Sequence, residues 1–239
     1  MVKKIIFFCF TPFIKEHYKR FGAKVLESNG FEVFFYDFSP TVFPDLHEAS
    51  KFLALPAIKN YFLFNDEKEA IQTIQNLGSE CFVVIIGYYQ AENFKIFQTL
   101  SKTNIPYASY VCDTFPGGLG SIGKSIWWKF FLKFYRSFTQ KQRKDFFSLK
   151  KLKSFLFKPV LAPIFGIRPP NICILGGESS LKHNGASALI GKGTELLWSH
   201  CIDYNQYISD LHKSKTQEKL AVFVDVGAPL FHWDRLLPE

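Results

Sequence analysis

The stretch that decides the fold is IIFFCFTPFIKEHYKRFGAKVLESNGFEVFFY, residues 5–36. Ile5–Phe10 is apolar throughout and is followed by Thr11-Pro12, which predicts a buried strand that ends in a turn. In Lys15–Asn29 the apolar residues recur at helical spacing and a glycine follows, so this segment is predicted to be one helix. Phe31–Tyr36 is predicted to be a second strand. A strand, a helix and a strand in this order form a right-handed βαβ unit, which predicts a parallel sheet.

The same alternation of strands and helices continues along the chain. Further strands are predicted at Cys81–Ile86, Tyr107–Cys112, Asn171–Leu175, Glu195–Trp198 and Leu220–Val224, and further helices at Asp66–Leu77, Ala91–Leu100 and Tyr204–His212. We therefore expect an α/β fold with a doubly wound, Rossmann-like parallel sheet and one long insertion. Ligands of such sheets bind beyond the carboxyl ends of the strands, so the loops there are the candidate sites.

Several residues in these loops can contact a ligand. Thr11 follows the first strand, and Gly176-Gly177-Glu178 directly follows another, where backbone N–H groups can hold an anion; the alternative for the latter is a tight turn. His17 lies one turn into the first helix and faces either the cleft or solvent. His200 lies at a strand-to-helix turn, where it can act as a base or bind a phosphate. Asp203 is a further candidate contact, although an N-cap of the next helix is the favoured interpretation.

A glycine-rich stretch, GGLGSIGKS, starts at Gly117. Residues Gly118–Ser125 match G-x-x-x-x-G-K-[ST], the pattern of nucleotide phosphate-binding loops. Such a loop begins right after its strand and runs straight into a helix, whereas Asp113–Pro116 intervene here. The alternatives are a nucleotide site with Asp225 on the magnesium side, a site for another anion at Gly117 and Gly118, and a glycine turn. The turn is the favoured interpretation.

The positive charge of the chain is concentrated in one aromatic segment. The net charge is +8, and residues 124–158 hold eleven Lys or Arg and a single acid, so this segment carries +10 and the remaining residues sum to −2. A helix with a wide apolar face rimmed by Lys and Arg is typical of a membrane interface. The alternatives are a buried helix and a surface for single-stranded nucleic acid. We favour the membrane and expect no nucleic-acid partner. The membrane-binding candidates are Trp127, Trp128, Lys129, Phe131, Lys133 and Arg136.

Composition excludes several other classes. Hydrophobic residues make up 47% of the chain and charged residues 21%, which is typical of a globular protein. The five cysteines are odd in number and lie mostly in or beside apolar runs, which favours buried thiols in a reducing compartment over disulfides or a metal cluster. The sequence has no run of 18 apolar residues, so no transmembrane helix is expected. We expect no metal and no resident cofactor.

The two ends of the chain carry a family resemblance. Lys4–Phe13 is similar to the first strand and loop of two-domain glycosyltransferases. Ser199–Tyr204, together with Val222–Asp225 and Pro229–His232, resembles the inter-domain turn and the opening of the second domain in bacterial surface-polysaccharide enzymes of that superfamily, the GT-B type. Two departures are Cys201, in place of a small polar residue, and the apolar Val226–Ala228.

The resemblance implies a fold, a reaction and partners. Residues 1–212 would form the acceptor-side domain, with residues 124–158 as its membrane-associating insertion, and residues 213–239 a linker and the first strand of an incomplete second domain. The reaction would be hexosyl transfer from a nucleotide-sugar donor, bound mainly by that second domain, to a lipid-linked acceptor. The chain would lie in the cytoplasm, peripheral at the inner face of the cell membrane, and be inactive alone if truncated. His17, Asp113 and His200 are the candidate catalytic residues. A non-catalytic membrane-surface scaffold module is a further alternative.

Overall fold

A computed structural model describes residues 2–50, 58–111, 159–177, 181 and 189–199, and these form an α/β unit around one sheet. All strand pairs in it are parallel. The strands are β1 (Lys4–Cys9), β2 (Glu32–Asp37), β3 (Tyr61–Leu63), β4 (Cys81–Ile86), β5 (Tyr107–Val111), β6 (Ile172–Leu175) and β7 (Glu195–Trp198). The helices are α1 (Lys15–Arg20), α2 (Ala23–Ser28), α3 (Ser39–Val42), α4 (Pro44–Ala49), α5 (Glu67–Gln75), α6 (Phe94–Thr103) and the 3₁₀-helix η1 (Pro159–Phe165).

The strand order is β3-β2-β1-β4-β5-β6-β7. From β1 the chain builds outward through β2 to β3, and it then crosses back to place β4 on the other side of β1. This reversal between β1 and β4 is the topological switch point of a doubly wound sheet. The predicted Rossmann-like parallel α/β fold is therefore confirmed.

Helices cover both faces of the sheet because successive side chains of a buried strand point to opposite sides. Phe8 of β1 faces the core that α5 and α6 complete, through residues such as Ile74 and Phe97. Phe7 faces the opposite core, which α1 and α2 complete. There its ring stacks on Phe35 of β2, with the ring centroids 5.2 Å apart. The continuous apolar run of β1 is thus explained by burial on both faces.

The predicted helix Lys15–Asn29 is wrong as a single element. The chain forms α1, then turns at Phe21 and Gly22, and begins α2 at Ala23. Gly22 has a φ of 67°, in the left-handed region that glycine adopts without the steric cost of a Cβ atom. The helical pattern of apolar residues continues through the break because both short helices cover the same face of the sheet.

Other differences from the predictions are small. The predicted helix Ala91–Leu100 begins later, at Phe94, because the residues before it form a turn. Asp66 caps α5, since its Oδ2 accepts a hydrogen bond from the amide of Glu69 at 3.2 Å. The sequence patterns did not predict β3, α3 or α4, which are only three to six residues long.

Several predictions fall outside the described residues. These are the insertion at residues 124–158, the helix Tyr204–His212, the strand Leu220–Val224 and the domain division after residue 212. Within the ranges that the structure does describe, no helix is both long and apolar enough to cross a membrane.

Candidate functional site

The loops after β1 and β4 meet at the switch point. We call residues 10–14 the β1 loop and residues 87–93 the β4 loop. Gly87 has a φ of 119°, and a Cβ atom built on it would lie 3.5 Å from the ring of Phe10. Thr11 is the exposed polar residue of the β1 loop, and Gln90 and Glu92 are those of the β4 loop. We refer to the two loops together as the switch-point edge.

A buried carboxylate holds the β1 loop in place. Asp37 ends β2 and is only 1% exposed. Its Oδ2 accepts a hydrogen bond from the amide of Phe13 at 2.9 Å and another from the hydroxyl of Tyr61 at 2.9 Å. Its Oδ1 accepts from the amide of Ser39 at 2.8 Å. The carboxylate therefore joins the β1 loop, the start of α3 and strand β3.

Neutral donors alone satisfy this carboxylate in the described part of the chain. Three hydrogen bonds occupy most of the acceptor capacity of a carboxylate, which is roughly four lone-pair sites. Burial, followed by the charge of Asp37, raises the pKa of the Cys9 thiol well above its usual range. Burial, again followed by Asp37, also raises the pKa of Tyr61, so the phenol stays protonated and keeps donating. Cys9 is an inert core thiol here.

Asp37 stands where dinucleotide-binding folds place an acid that holds a ribose hydroxyl. Here both of its oxygens are directed to the protein and the side chain is buried. The β1 loop, Phe10–Ile14, also lacks the glycines that let a pyrophosphate approach. The arrangement thus serves to organise the loop, and it does not offer a ribose site.

His17 closes the first turn of α1. Its Nδ1 accepts a hydrogen bond from the amide of Ile14 at 3.2 Å, while its own amide donates to the carbonyl of Ile14 at 3.0 Å. The ring lies between those of Phe13 and Phe21, at centroid distances of 5.4 and 5.2 Å. The structure thus places this catalytic candidate directly behind the β1 loop, with one ring nitrogen engaged in capping.

Asn93 fixes the β4 loop. Its Nδ2 donates to the carbonyl of Tyr88 at 2.8 Å, and its Oδ1 accepts from the amide of Gln90 at 2.8 Å. The side chain is 1% exposed, so the turn before α6 is held from within. Both loops of the switch-point edge are therefore organised by buried polar side chains.

Tyr89 carries the unusual hydroxyl of the β4 loop. The residue is 3% exposed, its ring packs edge-on against Phe97 at 5.3 Å, and its hydroxyl has no hydrogen-bond partner among the described residues. Burial raises its pKa to about 12. A buried hydroxyl without a partner costs stability, so its removal should not destabilise the fold.

A serine and a histidine lie next to the Asp37 network. The Oγ of Ser39 is 2.9 Å from Nδ1 of His47, which links the start of α3 to α4. Ser39 is fully buried, and it contacts Asp37 through its backbone amide rather than its hydroxyl. The group is therefore a structural link and not a nucleophile, because no substrate can reach the hydroxyl.

The remaining site predictions divide into two groups. Gly176 and Gly177 follow β6 at the same edge of the sheet as Thr11, and Gly177 has a φ of 114°. Their role as ligand contacts stays a prediction. The other predicted site residues lie outside the described residues: Asp113, Gly117, Gly118, Glu178, His200, Asp203 and the membrane-binding candidates Trp127, Trp128, Lys129, Phe131, Lys133 and Arg136.

The sequence analysis missed Asp37, Tyr61 and Asn93. A signal for Asp37 was present, since an acid directly follows the apolar strand Phe31–Tyr36. Cys9, Cys81 and Cys173 are buried, as predicted for thiols in apolar strands. Among the described residues, no group of three or more His, Cys, Asp or Glu side chains is placed to hold a metal ion.

Comparisons of the chain with models of protein families, with curated proteins and with solved structures found no match.

Proposed function

We propose that this chain is the acceptor-side domain of a GT-B-type glycosyltransferase of bacterial surface-polysaccharide biosynthesis. In this proposal it works at the cytoplasmic face of the membrane on a lipid-linked acceptor. A nucleotide sugar is the donor, bound mainly by a second domain that begins at about Leu220, after a linker from residue 213. The resemblance of residues 4–13 and 199–232 to that superfamily is the reason for naming a transferase.

The observation that carries the proposal is the preorganised switch-point edge. Asp37 and Asn93 hold the two loops that meet there, and both side chains are buried. Thr11 is exposed and lies between the buried residues Phe10 and Phe13 of the β1 loop. A loop that is already fixed, with an exposed threonine at the switch point, can bind a polar group at little cost in conformational entropy.

The charge distribution supports a membrane-bound acceptor. Residues 124–158 carry a net charge of +10, whereas the remaining residues sum to −2. In this proposal the basic aromatic segment binds an anionic lipid surface and so keeps the protein near its lipid-linked substrate.

The proposal is tested with the full chain and vesicles of three compositions: neutral phosphatidylcholine, phosphatidylcholine with phosphatidylglycerol, and phosphatidylcholine with polyprenyl phosphate at equal surface charge. We expect stronger flotation with polyprenyl phosphate than with phosphatidylglycerol. Thr11→Val should remove this preference and leave binding to phosphatidylglycerol unchanged. Equal binding of the wild type to both anionic vesicles would overturn the assignment of the acceptor.

The phosphate-loop pattern at Gly118–Ser125 gives the competing function. β5 ends at Val111, so the pattern does not begin directly after its strand, as a working phosphate loop does. Calorimetry with MgATP on the wild type and on Lys124→Ala separates the two functions. We expect no heat of binding from either protein. MgATP binding that Lys124→Ala abolishes would replace the transferase proposal by a nucleotide-binding one.

A further inference from the structure

We propose that Asp37 is a positioning residue that fixes His17 in one tautomer through the backbone of the β1 loop, so that His17 serves the site as a hydrogen-bond donor and not as a general base. The inference rests on the proposed function only in taking His17 as part of the site. The tautomer itself can be measured without any substrate.

Asp37 fixes the position of Phe13 in the β1 loop. The Oδ2 atom of Asp37 accepts from the amide of Phe13, and the Tyr61 hydroxyl donates to the same atom. The ring of Phe13 is 2% exposed and packs on Phe35 with 4.5 Å between the ring centroids. Both the backbone and the side chain of Phe13 are therefore fixed.

The fixed position of Phe13 directs the amide of the next residue, Ile14, toward His17. Ile14 comes directly after Phe13, and its backbone is extended, with a φ of −117° and a ψ of 160°. In this conformation its N–H points at Nδ1 of His17, 3.2 Å away. A backbone N–H can only donate, so Nδ1 must be the acceptor and must carry no proton.

The hydrogen bond at Nδ1 determines the tautomer of the His17 imidazole. A neutral histidine with an unprotonated Nδ1 carries its proton on Nε2. In that state any contact that His17 makes through Nε2 is one in which it donates. A general base needs a free lone pair, and the remaining lone pair, on Nδ1, is used by Ile14. Protonating Nδ1 would set two N–H groups against each other. His17 is therefore a hydrogen-bond donor through Nε2, and the proton acceptor of the reaction is another group.

The Asp37 network reaches His17 through Phe13 and Ile14. Besides the backbone, the ring of Phe13 links them, with its centroid 5.6 Å from that of Tyr61 and 5.4 Å from that of His17. The carboxylate of Asp37 contacts Phe13, Ser39 and Tyr61, and none of these contacts involves the imidazole. His17 in turn contacts the β1 loop through the amide of Ile14 and the ring of Phe13. The two residues are thus coupled by one short stretch of chain, Phe13–Ile14.

The test is a multiple-bond ¹H–¹⁵N correlation spectrum of the full chain labelled with ¹⁵N-histidine at neutral pH. His17→Gln identifies the His17 signals. We expect the wild type to show a protonated Nε2 and an unprotonated Nδ1 as one tautomer. In Asp37→Asn the share of the Nδ1–H tautomer should rise, with the tautomer ratio changing by about fivefold, because loosening the loop weakens a hydrogen bond of ordinary strength.

Two further variants keep the inference testable if Asp37→Asn does not fold. Tyr61→Phe keeps the carboxylate and deletes one donor to the same oxygen, so it should raise the Nδ1–H share above that of the wild type. Tyr89→Phe deletes a buried hydroxyl that has no partner, and it should leave the ratio unchanged. A wild type with Nδ1 protonated, or the same ratio in the wild type, Tyr61→Phe and any folded Asp37→Asn, would overturn the inference. None of these outcomes depends on whether the chain transfers a sugar.

Discussion

The Oδ2 atom of Asp37 accepts a hydrogen bond from the backbone amide of Phe13 at 2.9 Å, across 24 residues of sequence. This contact ties the end of β2 to the loop after β1, so it holds the β1 loop of the switch-point edge in place. The predictions on Asp37, Tyr61 and His17 follow from this contact and its neighbours.

Replacing Asp37 by Asn should destabilise the fold strongly. The Asn side chain keeps one acceptor oxygen, but its NH₂ group faces N–H and O–H donors, so at least one buried donor loses its partner. Hydrogen bonds to a charged group contribute about 1.5–3 kcal/mol each, and we expect a loss of about 3 kcal/mol in the free energy of unfolding. Urea denaturation followed by circular dichroism measures it. Asp45→Asn, at an exposed carboxylate of α4, is the matched control. Equal effects of the two substitutions would contradict this account of Asp37.

Removing the hydroxyl group of Tyr61 and removing that of Tyr89 should have different effects on the free energy of unfolding. Tyr61→Phe removes a donor to a buried carboxylate and should lower the free energy of unfolding by about 1–2 kcal/mol. Tyr89→Phe removes a buried hydroxyl that has no partner, so it should leave stability unchanged or increase it. The two variants serve as controls for each other in the same thermal denaturation experiment. A marked loss of stability in Tyr89→Phe would show that its hydroxyl is hydrogen-bonded.

Tyr89 also predicts a dependence on alkaline pH. Its pKa in the folded protein is raised to about 12 by burial, above the ordinary value of about 10. A folded-state pKa above the unfolded one means that this contribution to stability is present below about pH 10 and is lost as the pH rises toward 12. The difference in unfolding free energy between wild type and Tyr89→Phe should therefore shift in favour of the variant over this range. A difference that stays constant would contradict the burial of this phenol.

His17→Asn separates the role of Nδ1 as acceptor of the Ile14 amide from the role of Nε2 as a donor to the ligand. The Asn side-chain oxygen can replace Nδ1 as acceptor of the Ile14 amide, so the variant should stay within about 0.5 kcal/mol of the wild type. His17→Leu removes the acceptor and should cost about 1 kcal/mol. In the vesicle assay with polyprenyl phosphate, His17→Asn should weaken binding because the Nε2 donor is lost. Unchanged binding by a stable His17→Asn protein would exclude His17 from the acceptor site.

The strands could be predicted from the sequence because burial on both faces leaves continuous apolar runs. The bounds of β4, Cys81–Ile86, and of β7, Glu195–Trp198, equal the predicted ones. The break between α1 and α2 could not be predicted in this way. The apolar pattern is uninterrupted, and a glycine inside a helical pattern is also compatible with a continuous helix.

The buried network could be predicted only in part. The sequence shows an acid after an apolar strand at Asp37. That its carboxylate is buried depends on its hydrogen bonds with Phe13 and Tyr61, each 24 residues away in the chain. The same holds for His17, whose capping contact arises from the extended backbone of Ile14 and leaves no motif in the sequence. Positions of strand ends follow from local patterns, whereas the partners of polar groups there follow from tertiary packing.

The most direct test of the proposed function is flotation of the full chain on phosphatidylglycerol vesicles across a salt series, comparing the wild type with a Trp127→Glu, Phe131→Glu variant. Thermal denaturation of both proteins shows whether the variant is folded. We predict that the wild type floats, that its binding falls as salt rises, and that the folded variant stays in solution. A wild type that stays in solution at low salt, or a folded variant that floats as well as the wild type, would contradict the assignment of residues 124–158 to the membrane surface.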